Sequence, residues 1–207
     1  ISLQEKQIIK VVTGVRRCGK STLFKLFQEY LISIGILPEQ IISINLEDMD
    51  FEEFLDYKKL YDYIKNRLCK DKYTYIFLDE IQNCKGKKKA VNSLFIKEVT
   101  DVYITGSNAY MLSGELATLL SGRYVVIDML PLSFKEYVSA NGNSIKSERE
   151  HFADYLRFGS FPYLAEISKD EPIIESYIDG IYNTILVKNV AKREGITDVS
   201  LLESIVK

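Results

Sequence analysis

One histidine and three cysteines in 207 residues leave little material for a metal centre. His151 alone builds neither a multi-histidine site nor an inward-facing imidazole cluster, and its place in a polar run at residues 147–151 predicts a solvated surface residue. Cys18, Cys69 and Cys84 are too widely spaced for a C-x-x-C pair and do not form a paired disulfide set, which suits a reducing compartment. A formal net charge of −2 excludes a protein whose whole surface is a nucleic-acid footprint. No apolar run approaches the ~20 residues that a membrane span needs, and no charged-then-apolar leader precedes a cleavage site. A cytoplasmic chain with no membrane partner is expected. There is no internal repeat, and no low-complexity tract beyond the lysine-rich residues 85–89. The chain opens on Ile1 and closes on Lys207 inside a helix-like pattern, so it is expected to be part of a longer protein.

What is present is an ordinary globular composition, 46% hydrophobic and 27% charged, enough to bury a core. At roughly 150 residues per domain the length predicts one full domain and part of another. Residues 8–12, 41–45, 73–78, 102–105 and 124–127 are short runs rich in β-branched and aromatic residues, read as five strands. Between the first two, Leu23, Phe24, Phe27, Tyr30, Leu31 and Ile34 recur at helical spacing until Gly35. Residues 51–68 read as one helix. This alternation predicts an α/β fold, a parallel sheet flanked by helices, with ligands bound beyond the carboxyl ends of the strands. Past Pro131 the pattern turns helical. Ser133 and Glu136 form a capping box, and Ile174, Tyr177, Ile178, Ile181, Ile185 and Val190 lie near one face of a helix predicted over residues 172–193. A boundary is placed at residues 139–147, giving a phosphate-loop domain over 1–140 and a small, mostly helical region over 141–207.

Gly14, Val15, Arg16, Arg17, Cys18, Gly19, Lys20 and Ser21 match G-x-x-x-x-G-K-[ST], the phosphate-binding loop. In such a loop backbone N–H groups and a helix N-terminus face nucleotide phosphates, the glycines allow the tight turn, the lysine reaches the β- and γ-phosphates, and the hydroxyl ligates Mg²⁺. Residues 14–22, Thr22 included, are therefore the candidate ATP-binding residues. Arg16 and Arg17 suit phosphate contact, pairing with acids or a partner surface, and the sequence does not choose among them. Cys18 reads as a small space-filling residue.

The third strand ends in Asp79 and Glu80. Asp79 is the candidate Mg²⁺ ligand with Ser21, and Glu80 the group that orients or deprotonates water. The stretch between Lys20 and Asp79 leaves room for an extra helix-strand-helix, and no N-K-x-D guanine-reading motif occurs. Thr105, Gly106, Ser107 and Asn108 close the fourth strand with short polar groups able to meet a γ-phosphate or the attacking water. Arg123, before the fifth strand, is a candidate arginine finger for a neighbouring subunit's nucleotide in a homo-oligomer. Lys85 and Lys87–Lys89 read as a solvated loop or as a contact to nucleic-acid phosphates.

Taken with residues 130–137 and 155–162, the motifs at 14–21, 78–82 and 104–108 resemble a family of prokaryotic AAA-superfamily P-loop ATPases. Their ATPase domain is followed by a helical, winged-helix-like region and a further domain of unknown function. The resemblance covers nearly the whole chain but not that last domain. It implies an AAA-type sheet with an inserted strand, Ser107 and Asn108 as the sensor region, and Arg123 as the finger candidate. The expected activity is Mg²⁺-dependent ATP hydrolysis with Lys20, Glu80, Asn108 and Arg123 as catalytic residues. The alternatives are an ATP-dependent conformational switch and a nucleic-acid-associated binding module, each with little hydrolysis of its own.

Overall fold

Five short runs of β-branched and aromatic residues become five parallel strands: β1 (Ile9–Thr13), β2 (Ile41–Asn45), β3 (Thr74–Asp79), β4 (Thr100–Thr105) and β5 (Tyr124–Asp128). The structure is a computed structural model that describes residues 2–106, 120, 122–141, 146–167 and 170–185. The strands form one sheet in the order β2-β3-β4-β1-β5, which makes β4 central with β3 and β1 on either side. All five runs sit within a residue or two of where the sequence places them.

Helices on both faces explain why the inner strands are apolar without alternation. In β3, Ile76 and Leu78 join Val11, Val102 and Ile104 in a core completed by Leu60 and Ile64 of α2 (Tyr57–Lys65) and Val91 and Leu94 of α3 (Lys87–Phe95). Its intervening residues Tyr75 and Phe77 join Val12 and Tyr103 on the other face, against Phe24 and Leu31 of α1 (Lys20–Ser33). Phe77 stacks on Tyr103 with ring centres 4.9 Å apart, and Phe24 meets Phe77 edge-on at 5.2 Å.

Residues 51–68 are not one helix. A 3-10 segment (Met49–Leu55) precedes α2, and the break is at Asp56, whose carboxylate accepts the N–H groups of Lys58 and Lys59 at 2.9 and 3.3 Å. The backbone around it pairs with Lys85 instead of continuing a helix: Tyr57 N–H donates to the Lys85 carbonyl and Lys85 N–H to that of Leu55. Lys87–Lys89, read from sequence as part of a loop, form the first turn of α3.

At the amino ends of the central strands lies a fully buried ion pair. Lys10 of β1 donates to Asp101 of β4, and both side chains are 0% exposed. Lys10 also donates to the Lys6 carbonyl at 2.9 Å, while Asp101 accepts the Tyr103 hydroxyl at 2.9 Å and the Glu5 N–H at 2.8 Å. The Tyr75 hydroxyl donates to the Glu5 carboxylate.

By its contacts the chain divides into two compact units, residues 1–14 with 20–129 and residues 15–19 with 130–207. The division after Met129 falls ahead of the boundary read at residues 139–147. The reason is local: α4 (Phe134–Ala140) packs on α5 (Glu148–Phe158). Ser133 and Ser147 each close a capping box, with Glu136 and Glu150, over these two helices. Tyr137 and Tyr155 meet edge-on at 5.4 Å between them. Phe158, Leu164 of α6 (Pro162–Glu166) and Ile174 of α7 (Glu171–Thr184) form a third cluster. His151 is only 5% exposed, not the solvated residue expected; two turns before Phe158, it shares the inward face of α5. The continuation of the helix predicted over residues 172–193 lies, beyond residue 185, outside the described residues. Among the described residues no helix is long and apolar enough to cross a membrane.

Removing one member of a buried ion pair strands the other, at a cost of about 3–5 kcal/mol. Asp101→Asn is therefore expected to lower unfolding free energy by about 3 kcal/mol in urea titrations, whereas Lys10→Met with Asp101→Leu recovers most of the loss. Burial, with the Glu5 carboxylate second, pushes the Tyr75 phenol from 10.0 up to about 12, and burial pushes Tyr103 upward also. A raised folded-state value favours the folded state while the phenol is protonated. This contribution is present in full below pH 10 and declines as pH rises through about 12. Tyr75→Phe should flatten that alkaline decline in a pH series of unfolding curves.

Candidate functional site

β1 ends at Thr13, and the chain turns through Gly14 and Gly19, with φ of 152° and 106°, before Lys20 opens α1. At Gly19 especially, the backbone lies where a side chain is rarely tolerated. Cys18 is buried, with its N–H on the Val15 carbonyl at 3.3 Å, in keeping with a space-filling residue. Lys20 is also buried; its ammonium donates to the Gly14 carbonyl at 3.0 Å and so lies across the loop. Ser21 and Thr22 occupy the exposed first turn of α1. Arg17 has a left-handed backbone, φ 65°, and its guanidinium faces the ring of Tyr177 at 5.3 Å within the second unit.

Two strands from β1, Asp79 ends β3 with 7% exposure. Glu80 follows in a left-handed conformation, φ 53° and ψ 44°, which leads into a 3-10 turn (Ile81–Asn83). Thr105, at the end of the neighbouring β4, binds both acids: its hydroxyl donates to the Asp79 carboxylate and accepts the Glu80 N–H at 3.1 Å. The Glu80 carboxylate accepts from the Gln82 amide. Across the sheet, the Thr13 hydroxyl donates to Asp128 at the end of β5. The strand ends thus present Gly14, Lys20, Asp79, Glu80, Thr105 and Asp128 at the carboxyl edge of one sheet.

Sequence reasoning placed the polar end of β4 at Ser107 and Asn108, which lie outside the described residues. Thr105, named only as the start of that motif, makes the contacts, and Asp128 was missed. A hydroxyl two residues ahead of the expected position, on a strand already assigned, was the available signal for Thr105. Arg123 lies at the amino end of β5, not the carboxyl edge. Its guanidinium donates to the Asn92 amide oxygen at 2.8 Å and stands 5.6 Å from the Phe95 ring centre, both on α3.

The candidate cation ligands are one hydroxyl and one carboxylate. Oxygen donors in that number suit a hard ion such as Mg²⁺, which keeps waters and shares phosphate oxygens. Among the described residues no group of three or more His, Cys, Asp or Glu side chains is placed to hold a metal, so these residues do not offer a protein-only cage.

A parallel sheet with a glycine loop entering a helix at β1 and an acid pair at the end of β3 defines a P-loop nucleotide-binding fold. A profile of the AAA domain family matches residues 6–138, and the chain belongs to that family, as an AAA-type nucleotide-binding protein. The whole chain is 38% identical over 209 residues to an uncharacterized protein of Haemophilus influenzae, of which it spans 52%. It is 30% identical over 218 residues to an uncharacterized protein of Methanocaldococcus jannaschii, where 95% of this chain covers 46% of the relative. The chain thus spans about half the length of these curated relatives. Among solved structures, Hsp104 of S. cerevisiae in a casein complex shares the fold, with a TM-score of 0.53 and 14% identity over 92% of this chain and 37% of that one.

Removing the Thr105 hydroxyl leaves a buried carboxylate oxygen and the Glu80 N–H without their partner. Thr105→Val should therefore lower unfolding free energy by about 1–3 kcal/mol in denaturant titrations, and Thr105→Ser by much less.

Proposed function

We propose that the chain hydrolyses ATP with Mg²⁺. The observation that carries this reading is the acid pair at the end of β3, tied by Thr105 and set on the same sheet edge as the start of the glycine loop and Lys20. In this reading the loop amides of residues 14–22 and the Lys20 ammonium bind phosphates, and Ser21 and Asp79 hold the cation. Mg²⁺, when bound, neutralises charge building on the β- and γ-phosphate oxygens. Glu80 takes a proton from, or orients, the attacking water, with its carboxylate positioned by Gln82. Ser107 and Asn108 remain the proposed sensor groups for the γ-phosphate. The three free thiols support a cytoplasmic setting.

Arg123 is proposed to act on the nucleotide of a neighbouring copy. A five-residue strand is about 16 Å long, so an arginine at the amino end of β5 is remote from the start of its own loop at the carboxyl edge. Its grip on Asn92 and Phe95 fixes it on the body of its own chain.

A second reading, an anionic partner such as nucleic acid, is supported by the lysines at the start of α3. Lys87–Lys89 lie where the helix dipole disfavours positive charge by about 0.3–1 kcal/mol each, so the dipole does not account for them. Under that reading binding falls steeply with salt.

Turnover of Mg²⁺-ATP measured across protein concentration tests the first reading. Specific activity is expected to rise with concentration. Glu80→Gln should lower it by about 10²–10⁴-fold with ATP binding retained, Lys20→Ala should abolish both, and Arg123→Ala should remove the concentration dependence. Flat, negligible turnover with Lys20-dependent ATP binding would replace hydrolysis with a nucleotide-driven conformational switch.

A further inference from the structure

Within the first unit, charge and aromatic rings also meet away from the sheet edge that carries the acid pair. Tyr57, Lys58, Tyr61 and Asp62, one turn apart in pairs on α2, form one wall of a cavity of about 250 Å³. Lys89, Ala90 and Ser93 of α3 form the other. Ala90 and Ser93 are small, so the two helices leave a gap where the tyrosines face them. Both rings are half-buried, while Lys58, Asp62 and Lys89 are exposed. Tyr57 is held in place: a Cβ on Gly86 would stand 2.5 Å from its ring, and the Lys89 ammonium lies 5.5 Å from the ring centre. Tyr61 carries no such contact to Gly86 or Lys89 and is the ring left for a ligand. Among the described residues neither Lys58 nor Lys89 is within ion-pairing distance of Asp62.

A cavity of this size falls below the ~300–1,000 Å³ of a pocket that takes a whole small ligand, so it suits one group of a longer molecule. Its surroundings select an anion. Residues 56–65 and 85–95 carry seven lysines and two aspartates, in a chain whose formal net charge is −2. One of the aspartates, Asp56, caps α2. Duplex nucleic acid offers phosphates but keeps its bases stacked inside, where the rings gain nothing. An acidic protein segment offers carboxylates, which Asp62 repels. An unpaired nucleotide matches all three elements: phosphate for the lysines, a flat π face for a tyrosine, and in cytosine, adenine or guanine an amino edge for a carboxylate to accept. We propose that the α2–α3 cavity receives one base of single-stranded nucleic acid, stacked on Tyr61, with Lys58 and Lys89 on the flanking phosphates. This site rests on the nucleic-acid reading and gives it a location; it does not depend on ATP hydrolysis.

Fluorescence anisotropy of a short labelled oligodeoxycytidine, titrated with the full chain at neutral pH and several salt concentrations, tests this. Binding is expected to fall steeply with salt, to exceed that of a duplex of equal length, and to survive Lys20→Ala. Tyr61→Leu keeps apolar bulk but removes the ring and should weaken binding by about tenfold, the worth of one stacked base. Tyr61→Phe keeps the ring and should bind as the unaltered chain does. Lys58→Gln with Lys89→Gln should reduce the slope of log affinity against log salt by about 1.4, since each single-strand phosphate contact contributes about 0.7. These two surface changes keep the test valid if the leucine disturbs folding, which thermal unfolding of each variant reports. No binding by the unaltered chain would overturn the site and the nucleic-acid reading together. Binding that Tyr61→Leu and the paired lysine variant both leave intact would overturn the site alone, as would a duplex bound as tightly as the single strand. Polyglutamate bound as tightly as the oligonucleotide, and weakened by the same variants, would assign the cavity to an acidic protein instead.

Discussion

The arrangement of the site depends on one hydroxyl. Thr105 ends β4 beside the end of β3, where the parallel register pairs Leu78 with Ile104. From there it gives its proton to Asp79 and takes the N–H of Glu80. Glu80 has a left-handed backbone that costs a non-glycine residue on the order of 1 kcal/mol or more, so the turn persists only where its surroundings hold it. Thr105 holds its N–H and Gln82 its carboxylate, and the 3-10 turn over Ile81–Asn83 sets the path into α3. A single strand-end contact therefore orients both acids and the chain that leaves them.

Such a contact requires strands that do not slip; at the other end of the sheet a buried pair sets β1 against β4, the strand that carries Thr105. A one-residue shift between β1 and β4 would move Lys10 away from Asp101 and turn one of them to the opposite face. The buried pair is costly to desolvate, yet every partner is supplied: Asp101 accepts from Lys10, Tyr103 and the Glu5 N–H, and Lys10 gives a further bond to Lys6. The network thus favours one register more than it adds net stability. Its acid and phenol groups are buried at the amino edge, away from the strand ends that form the candidate site, and burial is the first cause of the raised phenol values.

Much of this was legible in the sequence because it rests on local pattern. The strands of an inner parallel sheet read as continuous apolar runs, the glycine loop has fixed spacing, and the Ser133 cap is signalled by a glutamate three residues on; the same signal at Ser147 went unread. What was not legible depends on neighbours distant in sequence. Lys10 inside an apolar run shows nothing of Asp101, ninety-odd residues away. The break at Asp56 depends on Lys85, and the burial of His151 on the face that it shares with Phe158. For the same reason the polar end of β4 was read by residue type at Ser107 and Asn108, while the hydroxyl that touches the acid pair is Thr105. Arg123 was placed correctly before β5, but its hold on Asn92 and Phe95 belongs to the packing of α3.

Helix α3 shows how far tertiary packing overrides local preference. It starts at Gly86, φ 76°, with no side-chain cap, and its first three residues are lysines where acids would be favoured. What holds that start is not helical: Lys85 is pinned by backbone bonds to Leu55 and Tyr57, and Lys89 faces the Tyr57 ring at 5.5 Å. Along the helix, Ala90, Val91 and Leu94 are buried against the sheet. Packing thus fixes α3 in spite of its first turn, helped by Lys87, which donates to the Gln82 carbonyl at 3.4 Å, and by Lys89 against Tyr57.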